Sequence, residues 1–183
     1  CDLGEKSKHY NGDNDEALLK IVNTANIACG YHAGNNTVIA KTIRTAKLNK
    51  VSIGAHPGFK DKKNFGRKRL NLSQIETHEL VLEQLKIISK ISKKIKYPLT
   101  HVKPHGALNN MACEDINIAP IIGEAIKKFD NNLIYLVLPL TKMHKAANIL
   151  NLKYACEIFA DRNYNDKGFL IDRSHPKAMV KNI

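Results

Sequence analysis

Short apolar or β-branched runs alternate along this chain with amphipathic helical stretches, and most of the runs stop at a cluster of polar, chemically capable side chains. The alternation predicts strands over 26–29, 51–55, 99–102, 133–138 and 154–159. It predicts helices over 13–23, from Asn35 or Asn36 to 49, and over 72–96, 117–129 and 141–150. Apolar residues recur at helical spacing in each; Ile87, Ile88, Ile91 and Ile95 line one face of the longest, which opens on Ser73 with Glu76 three residues on, a capping box. Strands joined through helices pair in parallel, so the fold class is α/β with a parallel sheet.

The ends of the runs carry the chemistry. Asp2 and Glu5, His32, His56, Lys103 with His105, and Asp161 with Arg162 each follow a strand at its C-terminal end. In a β/α barrel that places all of them on one rim, where such barrels build their sites. A doubly wound open sheet would gather its site at a single switch point instead. With the strand that ends at Asp2 and Glu5 counted as a sixth, five of six strands contribute a polar group and favour a (β/α) barrel, written as one domain over 1–183. His32 stands between Gly30 and Gly34, which suits a loop whose backbone approaches a ligand. Lys103 precedes Pro104, so it is biased to extended backbone, and His105 is read in the loop that follows. The polar loop over 59–71 is long enough for a lid or binding loop, and Arg67 within it is either a solvated cation or an anion clamp.

Composition narrows the function classes. The net charge of +12 could suit nucleic acid, but the lysines are dispersed among Asn and Ile rather than gathered in one block, which argues against it. No apolar run is long enough to span a bilayer. Cys1, Cys29, Cys113 and Cys156 form no CxxC pair and fit reduced thiols, so a cytoplasmic setting is expected. The chain opens at Cys1 inside a motif and stops at Ile183 without a closing element, so both ends are read as clipped and a targeting segment is left open.

Neither G-x-x-x-x-G-K-[ST], G-x-G-x-x-G nor a G-x-S-x-G elbow occurs. What remains is a rim of His and carboxylate. Asp2, His32 and His56 could form a metal site with an open position for hydrolysis. The same groups could instead do metal-free acid/base work on an amide, with Lys103 and Arg162 stabilising negative charge. A basic binding protein without catalysis is the third reading.

Five stretches together resemble the LamB/YcsF family, the family of the 5-oxoprolinase A component: D-L-G-E, A-N-I-A-C-G-Y-H-A-G, G-A-H-P-G-F with N-F-G-R, H-V-K-P-H-G-A-L, and F-A-D-R-x-Y. The resemblance implies a barrel of the glycoside hydrolase/deacetylase type, incomplete here because the family's C-terminal strands and a His-Gly-Asp motif are missing. It implies ATP-dependent opening of 5-oxoproline to glutamate, ATP as co-substrate, and two partner subunits, B and C. A divalent metal is left open by the residues themselves rather than by the resemblance, and a metal-dependent deacetylase or carbohydrate hydrolase is the alternative. On that basis Asp2, Glu5, His32, His56, Lys103, His105 and Asp161 are the catalytic candidates, while Arg67 and Arg162 would face substrate or phosphate. Lys6 and Asn109 depart from the family, which usually has Gly and Tyr there.

Overall fold

A computed structural model describes residues 1–6 and 13–181. Six strands form one sheet: β1 Asp2–Leu3, β2 Thr24–Ala28, β3 Ser52–His56, β4 Leu99–Val102, β5 Ile134–Val137 and β6 Tyr154–Cys156. Every neighbouring pair is parallel and the spatial order is the chain order, β1-β2-β3-β4-β5-β6. The order never reverses, so the sheet has no switch point of the doubly wound kind. Its site is spread over the strand ends instead.

The crossovers are α1 Asp15–Leu18, α2 Asn36–Leu48, α3 Gln74–Ile95, α4 Gly106–Glu114, α5 Ala119–Phe129 and α6 Lys142–Ile149. The starts of α2, α3 and α6 are set by side chains that satisfy the free backbone N–H groups of a first turn. Asn35 accepts from Thr37 and Val38, Ser73 and Glu76 close the expected capping box, and Thr141 accepts from His144. Helix α3 ends where Lys96 turns into the left-handed region at φ 56. One continuous core joins strand residues such as Ile27, Ile53, Val102 and Tyr135 to Ile39, Ile43, Val81, Leu85, Ile122 and Ile126 of the helices.

Three elements differ from the sequence reading. The helix expected over 13–23 is a single turn, α1, whose Asp15 carboxylate accepts from the Gly4 backbone N–H at 2.9 Å. That contact fixes the D-L-G-E segment rather than extending a helix. Helix α4 stands where a loop is expected, because His105 and Gly106 look like turn residues. Gly106 does take a positive φ of 54, but it does so as the first helical residue, with His105 as the N-cap. The last strand, expected over 154–159, stops at Cys156.

Candidate active site

Beneath the rim, Asp2, Asn26, Gly54 and His101 occupy successive paired positions of β1 to β4. The Asp2 carboxylate can only accept, so the Asn26 amide nitrogen faces it, at 2.8 Å. Asn26 Oδ1 is thereby turned to His101, which donates through Nε2 at 2.9 Å. Burial holds His101 neutral, with its pKa down at about 4. This polar row is the floor of the site.

Above it, four residues from four segments converge. Glu5 Oε1 lies 3.1 Å from His32 Nε2, 3.2 Å from His105 Nδ1 and 3.8 Å from His56 Nε2. His56 Nε2 is 3.0 Å from His105 Nδ1 and 3.4 Å from Asp2 Oδ2. The far ring nitrogens are tied to backbone carbonyls, His56 Nδ1 to Lys103 O at 2.7 Å and His105 Nε2 to Phe65 O at 2.8 Å. His32 stacks on His105, ring centroids 3.8 Å apart and planes 4° from parallel, while the Phe65 ring meets both edge-on. Glycines make this stack fit. A Cβ on Gly58 would come within 2.8 Å of His32 Nδ1, and one on Gly66 within 2.8 Å of His32 Cβ.

Charge follows from those contacts. Burial works against ionising Glu5, but the ring nitrogens of His105 and His32 against it, with the charge of His56, outweigh burial and hold the carboxyl far below its usual range. Burial likewise opposes the Asp2 carboxylate, and the charges of His56 and Lys103 overcome it. His32 goes the other way: burial, reinforced by the neighbouring imidazoles against Glu5, lowers its pKa to about 3. Burial also lowers His105, whereas His56, equally buried, is raised by Asp2 and Glu5.

Lys103 closes one side. Its Nζ lies 3.0 Å from Asp2 Oδ1 and 2.9 Å from Glu157 Oε1, and 4.7 Å from the centroid of the Phe159 ring. Burial disfavours the ammonium, but the two carboxylates more than compensate and raise its pKa. A cavity of about 270 Å³ opens over these groups, lined by Asp2, Glu5, His56, Lys103, His105 and Arg67 among others.

The whole chain, residues 1–183, matches the LamB/YcsF family. The chain belongs to that family. It is similar to a Staphylococcus epidermidis protein named as the A component of 5-oxoprolinase, at 43% identity over 182 residues, covering 100% of this chain and 72% of the relative. A Campylobacter jejuni subsp. doylei protein of the same name is 44% identical, covering 98% and 70%. Among solved structures, the lactam utilization protein from Thermus thermophilus superposes with a TM-score of 0.92 at 39% identity, covering 99% of this chain and 73% of that one.

In this LamB/YcsF chain the structure brings Asp2, Glu5, His32, His56, Lys103 and His105 together, with His32 walled off from the cavity that the others line. Arg67 borders the cavity, its guanidinium 4.9 Å over the Phe65 ring. Arg162 also borders it, yet its Nε donates to Ala178 O at 3.2 Å and its Nη2 to Ile171 O. It buttresses the 163–180 loop. Asp161 is exposed and does not line the cavity; Glu157 occupies the place after β6, because that strand ends at Cys156. The metal trio read from sequence, Asp2, His32 and His56, is not the convergent set either: Glu5 and His105 stand with His32 and His56, while Asp2 pairs with Lys103. Glu157 lies inside the run 154–159 that the sequence presents as strand, and only the early end of β6 at Cys156 frees it for the site. Asn26, inside β2, carried no signal.

Proposed function

We propose that this chain acts as the A component of an ATP-dependent 5-oxoprolinase, hydrolysing the lactam of 5-oxo-L-proline to L-glutamate. The observation that supports it most is the 43% identity to a protein of that name along the entire chain. ATP is the co-substrate, and the lettered designation of the relatives implies partner subunits, expected as B and C. The sheet is read as part of a single (β/α) barrel domain of the glycoside hydrolase/deacetylase type, supported by its unreversed parallel order and by a site at the C-terminal strand ends.

An unstrained lactam is a poor electrophile, which gives ATP its role. Transfer of the γ-phosphoryl group to the lactam oxygen releases ADP and makes the ring carbon electrophilic. Water then adds to that carbon, giving one proton to the basic atoms of the Glu5/His56/His105 group. The C–N bond breaks as the new hydroxyl loses its proton and forms the carbonyl; the electron pair goes to nitrogen, which takes up that proton and the one held by the base to leave as the ammonium. The acyl phosphate left behind is hydrolysed by a second water to the carboxylate and phosphate. Lys103 and Arg67 border the cavity as the cations facing the phosphoryl oxygens or the substrate carboxylate.

The test is glutamate release from 5-oxoproline by the full-length protein mixed with its partner subunits, with and without ATP. ATP-dependent glutamate is expected. None, with well-folded protein and active partners, overturns the reading.

A further inference from the structure

A carbonyl oxygen only accepts hydrogen bonds, and this fixes two tautomers in the cluster. His56 carries its hydrogen on Nδ1, toward Lys103 O, and His105 on Nε2, toward Phe65 O. In the neutral rings His56 Nε2 and His105 Nδ1 are then bare, yet they face each other at 3.0 Å. Glu5 Oε1 adds a third lone pair, 3.2 Å from one and 3.8 Å from the other. Three electron-pair donors pointed at one another require a positive charge among them. A proton or a metal ion can supply it.

The geometry fits the ion. Ligands about 2.0–2.1 Å from a tetrahedral ion lie roughly 3.3–3.4 Å from each other. The three observed separations, 3.0, 3.2 and 3.8 Å, bracket that edge. The planes of His56 and His105 meet at 84°, so their in-plane lone pairs can converge. His32 stacks 4° from parallel on His105, so those two rings cannot both point in-plane at one ion. Its Nε2 lies 3.1 Å from Glu5 Oε1 and orients that carboxylate instead. The carbonyl-anchored far nitrogens are the usual outer support of a ligating imidazole. Glu5, His56 and His105 also line the cavity, which leaves a coordination position open.

We infer that Glu5, His56 and His105 bind one divalent transition-metal ion, with His32 as a positioning residue on Glu5. Two nitrogens and one carboxylate suit zinc or a neighbouring first-row ion; calcium and magnesium prefer all-oxygen sets. Binding stands on this geometry alone. Its catalytic use rests on the lactam-hydrolysis reading, where such an ion would replace the three free lone pairs as the activator of water by lowering the pKa of water beside the ring carbon.

The experiment takes full-length protein stripped with chelator and titrates it with Zn²⁺ by calorimetry and with Co²⁺ by visible absorption. One ion per chain is expected, with the intense Co²⁺ bands of a four- or five-coordinate site. Glu5→Gln and His105→Asn should each lose stoichiometric uptake, His32→Asn should weaken it roughly tenfold, and His78→Asn on the surface should bind as wild type. Circular dichroism checks that each variant is folded. No uptake by the wild type overturns the inference whatever the variants do, and so does uptake unchanged in both Glu5→Gln and His105→Asn. Neither substrate nor ATP is present, so an empty titration leaves the glutamate assay to stand or fall separately.

Discussion

The His101 imidazole lies across the backbone of Gly54, its paired residue on β3, and a Cβ built on Gly54 would overlap the ring. The register shift between Ile53 and Gly54 falls at the same place. A glycine is needed here for space, since its φ is not in the left-handed region. Gly54→Ala should therefore destabilise by roughly 1–3 kcal/mol, the range for overpacking. In urea unfolding, Gly54→Ala/His101→Ala should cost less than the sum of the two single variants, since removing the ring makes room for the methyl group. Strict additivity would mean that the ring is not what excludes the side chain.

The same ring carries a pH dependence. His101 titrates near 4 in the fold, below the usual 6.5, because burial disfavours its charged form. The unfolded chain binds the proton more readily, so stability rises with pH across this window. His101 contributes fully above about pH 6.5, loses that contribution as pH falls toward 4, and changes nothing further below. The span is worth up to about 3 kcal/mol. Urea midpoints measured from pH 7 to 4 should fall less steeply for His101→Asn than for the wild type.

Much of the site was legible because a parallel sheet gathers its strand ends: His32, His56 and Lys103 with His105 could be placed on one rim from the apolar runs preceding them. What the sequence did not carry was distance along a run. Tyr154, Ala155 and Cys156 are all exposed, so no burial pattern marks where β6 stops, and the acid that reaches Lys103 is Glu157 rather than Asp161. Helix α4 was hidden because its first residue is a glycine at positive φ, which local chemistry reads as a turn, while Ala107, Leu108 and Ala112 bury its inner face. Pairings such as Glu5 with His105, a hundred residues apart, depend on the packed fold and have no local signature.

Lys103 neutralises two acids from opposite edges of the sheet, Asp2 at β1 and Glu157 after β6. Lys103→Met removes the cation that bridges them and leaves both carboxylates facing a partly buried space. Breaking a fully buried pair costs about 3–5 kcal/mol, and with Asp2 and Glu157 only partly buried the loss here should fall at or below the low end of that range. Glu157→Gln leaves Asp2 still paired and should cost clearly less in the same thermal melt. In the glutamate assay Lys103→Met should lower kcat by roughly 10²–10³ if its ammonium faces developing negative charge. Equal stability losses for both variants would deny Lys103 its bridging role.

Two of the four thiols are shut away. Cys29 and Cys113 are buried, and burial pushes both pKa values up to about 12, while Cys1 and Cys156 are exposed. Since the thiolate is the reactive form, an alkylating reagent at neutral pH should label Cys1 and Cys156 in the native protein and reach Cys29 and Cys113 only after denaturation. Peptide mass mapping reads this directly. Rapid native labelling of Cys29 would mean that β2 opens far more readily than its fully buried setting allows.

Arg67 and Arg162 border one cavity but should fail differently. The Arg162 guanidinium already donates to Ala178 O and Ile171 O, so Arg162→Ala takes the side-chain donor from Ile171 O, leaves Ala178 O with the Asn163 backbone N–H, and loosens the 163–180 loop. Its effect should be read mainly in stability, on the order of 1–3 kcal/mol, and in faster proteolysis of that loop. Arg67 is exposed, with its guanidinium 4.9 Å over the Phe65 ring, and desolvation together with the nearby Arg173 lowers its pKa. Crowding of like charge beside the cavity is relieved when an anion enters. Arg67→Ala should therefore leave the melting temperature nearly unchanged while raising KM for the anionic substrate roughly tenfold or more, the loss of one charge-assisted hydrogen bond. A large stability loss with an unaltered KM would instead make Arg67 a support for the Phe65 loop.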